Sequence, residues 1–395
     1  MRRQAQYTDG NDTVPYDREL IRSGGASQRA DRRQQASFKP PARGRGPRPR
    51  RRRSLGSTLR IVLLIALVIV VVGGVLLFLR AASFNGAVSS ATFPSTALLG
   101  DLNGSQRVNV LMVGYGGGDH KGAYLADSIQ ILSIDPSTDT TTTVPIPRDL
   151  WIEGIEAFTQ NGKVNEVYAT GYESVGADEA GRLDAAGSLM AQVLSEVTGL
   201  EIEHWLAIDF DGFKEMVDAV GGVTVDNPVA FAYTNTEALH QAERWESGSF
   251  SAGEIHLDAE QALAYARARF TNVASESTDF ARSVRQARIF SALRRELGSG
   301  GIASLGPGLS LMDAMEGRVR TDLSAIDLFF LSSHLSSDRR VELSEDVVLT
   351  ATTNSIGQYI LLPVGWTGPG DYGRLKSYLA AELARPIEPA GADAP

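Results

Sequence analysis

RVNVLMVGYGGGDHKGAYLADSIQILSIDPSTDTTTTVPIPRD, residues 107–149, is the stretch that sets the fold. An apolar run over 108–113 breaks into a glycine-rich loop at 114–118. A second run, 128–134, carries Ile129, Ile131 and Ile134; Asp135-Pro136-Ser137 then turns the chain into a threonine-rich third run ending at Pro147. β-prone runs bounded by Gly, Pro, Asp and Ser clusters predict paired strands. Polar residues collect where these strands stop: Asp119, His120, Asp127, Arg148 and Asp149. Loops at the ends of a rigid sheet are where chemistry is usually mounted.

Downstream, apolar residues near helical spacing predict helices over 181–198, 213–220 and 279–297, closed by Gly199, Gly221-Gly222 and Gly298. Residues 257–266 also read as a helix, with Asp258 and Gln261 at capping-box spacing. Strand-like segments at 204–210 and 223–225 interleave with these helices. Such interleaving predicts one α/β or α+β domain.

Upstream, the composition changes twice. Residues 1–60 hold 16 Lys and Arg against 5 Asp and Glu, a net +11, while the remainder carries −20. Residues 1–58 have too few apolar side chains to offset the entropy of ordering and read as a disordered basic tail. Its run PARGRGPRPRRRR (41–53) fits an anionic-partner patch or a topology signal before a membrane span. The adjoining apolar run favours the topology signal. Residues 61–79, IVLLIALVIVVVGGVLLFL, are uncharged and, at ~1.5 Å per residue, span ~28 Å. A transmembrane helix is therefore expected over 59–80, with the N-terminus cytoplasmic and the remainder outside by the positive-inside rule. The layout is then a tail (1–58), an anchor (59–80), a stalk (81–106) and a main domain (107–298). Residues 299–383 continue that domain or form a small appended unit, and 384–395 are a Pro/Ala tail.

Several chemistries are excluded. The chain has no cysteine, hence no disulfide scaffold and no thiol nucleophile. It has no P-loop, G-x-S-x-G elbow or H-E-x-x-H string, and its five histidines are scattered. Arginine remains. Arg148 ends the third strand, Arg267 and Arg269 stand two apart, and Arg282 lies one helical turn from Gln286, with Arg285 beside that face. Guanidiniums converging in an otherwise acidic domain suit phosphate oxygens. Arg267 and Arg269 also sit near a helix C-terminus, where cations are favoured without any ligand. Asp127 reads equally as a metal-binding carboxylate or a turn cap, and Asp149 as a reacting carboxylate or a partner orienting Arg148.

In order, YLADSIQILSIDP, VPIPRDLWI, GKVNEVYATGY, HWLAIDFDGFKEMVDAVGGVTVD, LDAEQALAYARAR and TDFARSVRQARIFSAL resemble the LytR-CpsA-Psr family over residues 108–297. The resemblance implies an α/β fold of α-β-α type, a central mixed sheet flanked by helices, with a long apolar cavity for a polyprenyl chain. It implies a membrane-anchored extracytoplasmic phosphotransferase. Such an enzyme moves a glycopolymer (teichoic acid or capsular polysaccharide) from an undecaprenyl-pyrophosphate carrier onto peptidoglycan, with pyrophosphatase as a side activity. Arg148, Arg267, Arg269, Arg282 and Gln286 match its pyrophosphate-binding residues. Lys163 and Asn165 match a K-x-N string bordering the pocket, which Arg285 is also expected to line. Asp127 matches a Mg²⁺-ligating aspartate, Mn²⁺ being the alternative ion, and is expected with Arg148 and Asp149 among the catalytic residues. One departure stands out: the family's G-x-D string is here Gly114-Tyr115-Gly116, which leaves Asp119 as the candidate second metal ligand. The alternative reading is a non-catalytic polyprenyl-phosphate-binding regulator of the envelope, a transcriptional attenuator. The expected partners are the lipid-linked glycan, peptidoglycan and the membrane, with no nucleic acid.

Overall fold

The computed structural model describes residues 55–104, 107–118, 122–138, 140–234, 247–296, 305–333, 339–343 and 347–386. Most of the basic tail, Asp119 and most of the C-terminal tail lie outside the described residues. The chain forms two units, Met1–Leu64 and Ile65–Pro395. Of the first, only the beginning of a helix is described.

That helix, α1 (Leu55–Val88), carries the apolar run, and its segment Leu63–Val88 is long and apolar enough to cross a membrane. Its large apolar side chains from Leu63 to Leu79 are 44–70% exposed, as suits a single-pass anchor in lipid. The expected stalk is corrected. Helix α1 continues past Arg80 and buries Phe84, Asn85 and Val88. The Asn85 side chain donates to the Ala91 carbonyl (2.8 Å) and accepts from the Ala325 N–H (2.9 Å). Helix α2 (Ala97–Leu102) then buries Leu98 and Leu102. A short element needs only one buried face, so a few well-placed apolar residues suffice in a segment whose composition reads as polar.

Strands β1 (Val108–Tyr115), β2 (Ala126–Asp135) and β3 (Thr140–Pro145) pair antiparallel in succession. A ribbon of β4 (Trp151–Ile152) and β5 (Gly162–Lys163) leads into α3 (Val164–Glu173) and α4 (Glu179–Thr198). Strand β6 (His204–Asp209) returns parallel to β1. Next come α5 (Phe210–Ala219), β7 (Val223–Asn227), β8 (Phe231–Tyr233), β9 (Gly248–Phe250), β10 (Gly253–Leu257), α6 (Ala259–Arg267) and α7 (Asp279–Glu296). They surround an apolar cluster that includes Phe231, Phe250, Tyr265 and Ile289. The Asp258–Gln261 capping box is present at the start of α6. Last are α8 (Leu305–Met315), β11 (Val319–Thr321), α9 (Ala325–Ser333), β12 (Arg339–Arg340), the hairpin β13 (Leu349–Thr353)–β14 (Tyr359–Pro363), and α10 (Gly373–Ala384).

The central sheet is mixed, in the order β11-β6-β1-β2-β3-β12, so the C-terminal section supplies both edges of this sheet and is not an appended unit. Period-two alternation divides β1 and β2 between two layers. Leu111, Val113, Ile129 and Ile131 face a core shared with α3, α4 and α10, through Tyr168, Leu194 and Leu379. Val108, Val110, Leu132 and Ile134 face Leu98, Leu323 and Leu331 on the other side. Burying each such side chain contributes roughly 1.5–3 kcal/mol.

His204, at the start of β6, lies between Asp101 (3.1 Å) and Asp322 (3.3 Å). Burial alone would lower its pKa; the two carboxylates outweigh burial and hold it above the usual 6.5. The folded state therefore favours the protonated ring. Its contribution is fully present below pH 6.5 and is lost as pH rises through the raised value. Thermal unfolding from pH 5.5 to 8.5 should show the wild type losing its advantage over His204→Gln; a pH-independent difference would refute this assignment.

Candidate active site

The strand ends build the site. Gly114 pairs with Ser128 and Tyr115 with Ala126, so Asp127 is the extra residue of a bulge in β2. A bulge breaks alternation and re-aims its side chain. The Gln286 side-chain amide donates to the Asp127 carbonyl at 3.0 Å and holds the bulge from α7. The glycine loop closes nearby over Asp209. Gly117 has φ +73°, and a Cβ there would lie 2.9 Å from that of Asp209, so only glycine fits. Burial pushes the Asp209 carboxyl above the usual carboxylate range.

After β3 the Leu150 N–H donates to the Pro147 carbonyl at 3.0 Å, closing a turn that presents Arg148. Arg148 Nη1 donates to Asp127 Oδ1 at 3.0 Å, and Nε lies 3.6 Å from Asp149 Oδ2. Lys163 Nζ donates to Asp149 Oδ1 at 2.5 Å. The charges thus form a chain, Lys163–Asp149–Arg148–Asp127. The Asn165 N–H at the start of α3 donates to the Arg148 carbonyl at 3.3 Å. Asp149, expected among the reacting groups, is 2% exposed and stands behind Arg148 with Lys163 and Asn165. These three position the arginine and do not form the pocket wall.

Arg148, Arg267, Arg269 and Arg282 converge with Asp127 and Gln286 on a pocket of about 180 Å³. Among the described residues that line it, four guanidiniums stand against one carboxylate, a formal charge of +3. Arg267 is the last residue of α6; Ala268 is extended (ψ 129°) and buried, and Arg267 and Arg269 both line the pocket. The Arg267 guanidinium lies 4.2 Å from the Phe210 ring centroid, a contact that steers its head group. Tyr233, Thr234 and Phe270 also line the pocket. Phe270 is 54% exposed and has φ +49°, a conformation bulky residues rarely adopt and one concentrated at functional sites. No local sequence signal marks these three.

Arg285 is corrected. It is fully buried and faces away from the pocket. It donates to Glu276 Oε2 (2.7 Å) and to the carbonyls of Glu276 (2.9 Å), Tyr265 (3.1 Å) and Ala268 (2.5 Å). Two of these carbonyls flank Arg267, so Arg285 fastens the turn that presents the pocket arginines.

The pocket adjoins an apolar cavity of about 770 Å³, with Asp127, Arg267 and Gln286 lining both. Met112, Leu132, Leu206, Phe213 and Leu328 are among its walls. Gln130 is also buried in that wall, with both side-chain polar atoms lacking hydrogen bonds. Leaving such a group unsatisfied costs ~1–3 kcal/mol. Gln130→Met, similar in volume, should therefore raise stability by about 1 kcal/mol. Thermal unfolding of the full chain in detergent would show this, and a lower midpoint would refute it. Across Arg267 and Tyr233 lies a wider groove of about 1160 Å³ with Lys214, His256 and Glu260 along it.

Among the described residues no group of three His, Asp or Glu side chains could hold a metal unaided. Of these described residues, Asp127 alone brings a carboxylate to the arginine pocket, which fits a cation held largely by ligand phosphates and water.

A model of the LytR_cpsA_psr family matches residues 82–361. The chain belongs to this family. The match begins within α1, in keeping with the burial of Phe84, Val88, Leu98 and Leu102. Among curated relatives of this LytR_cpsA_psr protein is the polyisoprenyl-teichoic acid–peptidoglycan teichoic acid transferase TagU of Halalkalibacterium halodurans. It is 27% identical over 265 residues, which cover 67% of this chain and 76% of the relative. The protein of the same name from Bacillus mycoides is 29% identical over 58% of this chain and 64% of its own length. The crystal structure of B. subtilis TagV shares the fold, with a TM-score of 0.51 and 22% identity over 70% of this chain and 96% of that one.

Proposed function

We propose that this protein transfers a glycopolymer from a polyprenyl-pyrophosphate carrier to a hydroxyl of peptidoglycan on the outer face of the membrane. The observation that carries the reading is that a small pocket lined by four arginines shares Asp127, Arg267 and Gln286 with a large apolar cavity. A ligand fitting both is an anion attached to a long hydrocarbon. The names of the TagU relatives support the choice of polymer donor and wall acceptor.

In this reading the lipid lies in the cavity, the pyrophosphate in the arginine pocket, and the sugars along the groove beyond Arg267. The acceptor oxygen bonds to the glycan-side phosphorus, the bond from that phosphorus to the bridging oxygen breaks, and polyprenyl phosphate leaves. The acceptor proton passes to the Asp127 carboxylate. Arg148, Arg267, Arg269 and Arg282 neutralise charge on the phosphates, the dominant form of catalysis when no covalent nucleophile is used. Asp127 would hold Mg²⁺ together with donor phosphate oxygens, and the ion would supply further charge neutralisation. Asp149 and Lys163 act through Arg148 by fixing its guanidinium.

The test is transfer from a bilayer-embedded polyprenyl-pyrophosphate oligosaccharide to uncross-linked peptidoglycan with Mg²⁺. Release of polyprenyl phosphate should match label gained by the glycan. Lipid binding without release across several donors would instead favour the regulator reading, with Gly116 in place of an aspartate as its structural basis.

A further inference from the structure

One face of the membrane helix is also a wall of the lipid-sized cavity. Leu77, Ala81 and Phe84 follow one another at helical spacing along α1, and all three line the cavity that Asp127 and Arg267 also line. Leu77 belongs to the apolar run and lies three residues, about 4.5 Å, below Arg80. Leu309 of α8 and Phe329 of α9 line the same cavity while 37% and 51% exposed. Arg80 pairs with Asp313 of α8 and with Glu316 just after it (3.0 Å), which sets a charged cluster about one turn along α1 from Leu77. Charge at the headgroup level with apolar side chains just beneath is the pattern of a membrane interface. Because α1 runs unbroken from the apolar segment into the domain, this height is fixed and not left to a flexible stalk.

We infer that the gap between α1 and the α8–α9 pair is a lateral portal seated in the outer leaflet, through which the hydrocarbon of a membrane lipid slides into the cavity. The inference rests on the proposed lipid-linked donor. Its consequence is that the hydrocarbon never crosses water, since the bilayer core, Leu77 and the cavity wall form one apolar path. Leu309 and Phe329 then face acyl chains, which accounts for large apolar side chains left exposed on a folded domain.

The chain contains no cysteine, so single labels are unambiguous. Full-length protein in phosphatidylcholine–phosphatidylglycerol vesicles would carry an environment-sensitive fluorophore at Leu309→Cys, Phe329→Cys or, as a control, Ile356→Cys, which is 75% exposed on a distant hairpin turn. Lipids spin-labelled near the headgroup should quench the first two by about half and spare the control, as for side chains buried in an interface. Equal quenching at all three positions, or none at 309 and 329, overturns the portal. A second measurement compares turnover of a bilayer-embedded donor with that of a water-soluble donor carrying two isoprene units. Leu77→Trp should lower the ratio of the two about tenfold by narrowing the gap. An unchanged ratio overturns the portal while leaving the transferase standing. Quenched labels with no turnover of either donor support the portal and overturn the transferase.

Discussion

Arg148→Ala is expected to cut transfer about 10²–10³-fold, the usual loss when one preorganised donor to a reacting oxyanion is removed. Arg148 touches Asp127 directly and is held from behind by Asp149, so its guanidinium is fixed before any ligand arrives. Arg148→Lys keeps the charge but loses the planar fork and should recover only part of the activity. Asp127→Asn should be similarly impaired and should also weaken the response to Mg²⁺. Arg148 is partly exposed, and Asp149 keeps Lys163 as a partner when it is removed, so the melting temperature should change little. Single-turnover release of polyprenyl phosphate beside a thermal melt separates the two effects. Near-wild-type turnover by Arg148→Ala would sink the assignment of the arginine pocket.

Arg285→Met should produce the largest loss of stability, although Arg285 touches no ligand. Removing one partner of a fully buried ion pair costs about 3–5 kcal/mol, because the other charge is left in a low dielectric. Here Glu276 and three carbonyl acceptors lose their donor together. The midpoint should fall by roughly 5–15 °C. Glu276→Leu added to Arg285→Met should restore much of this, since an apolar replacement of both partners is often neutral. Below its melting temperature the single variant should still bind pyrophosphate more weakly, because the Tyr265 and Ala268 carbonyls that frame Arg267 are no longer fastened. A melt and a pyrophosphate titration check both statements; unchanged affinity would confine Arg285 to stability.

What the sequence determined by itself was local. The β-prone runs at 108–113 and 128–134, bounded by turn residues, specified two strands, and the Asp258–Gln261 spacing specified a helix start whose capping box is present. These features depend on backbone period and on neighbours a few residues away, which a linear string records. Tertiary structure decided what depends on distant partners. Arg282 and Arg285 differ by three positions on one helix, yet one lines the pocket and the other is buried against Glu276 and the end of α6. Asp149 looks as reactive as Asp127 in the string, but Lys163 and Arg148 enclose it, while a bulge one strand away turns Asp127 toward the pocket. Residues 81–106 read as a stalk from composition, but Leu98 and Leu102 share a core with Leu323 and Leu331, and Asn85 and Ser89 pair with Ala325 and Thr321, all more than 200 residues away. Charge, burial and packing are properties of the assembled neighbourhood, and only folding brings those neighbours together.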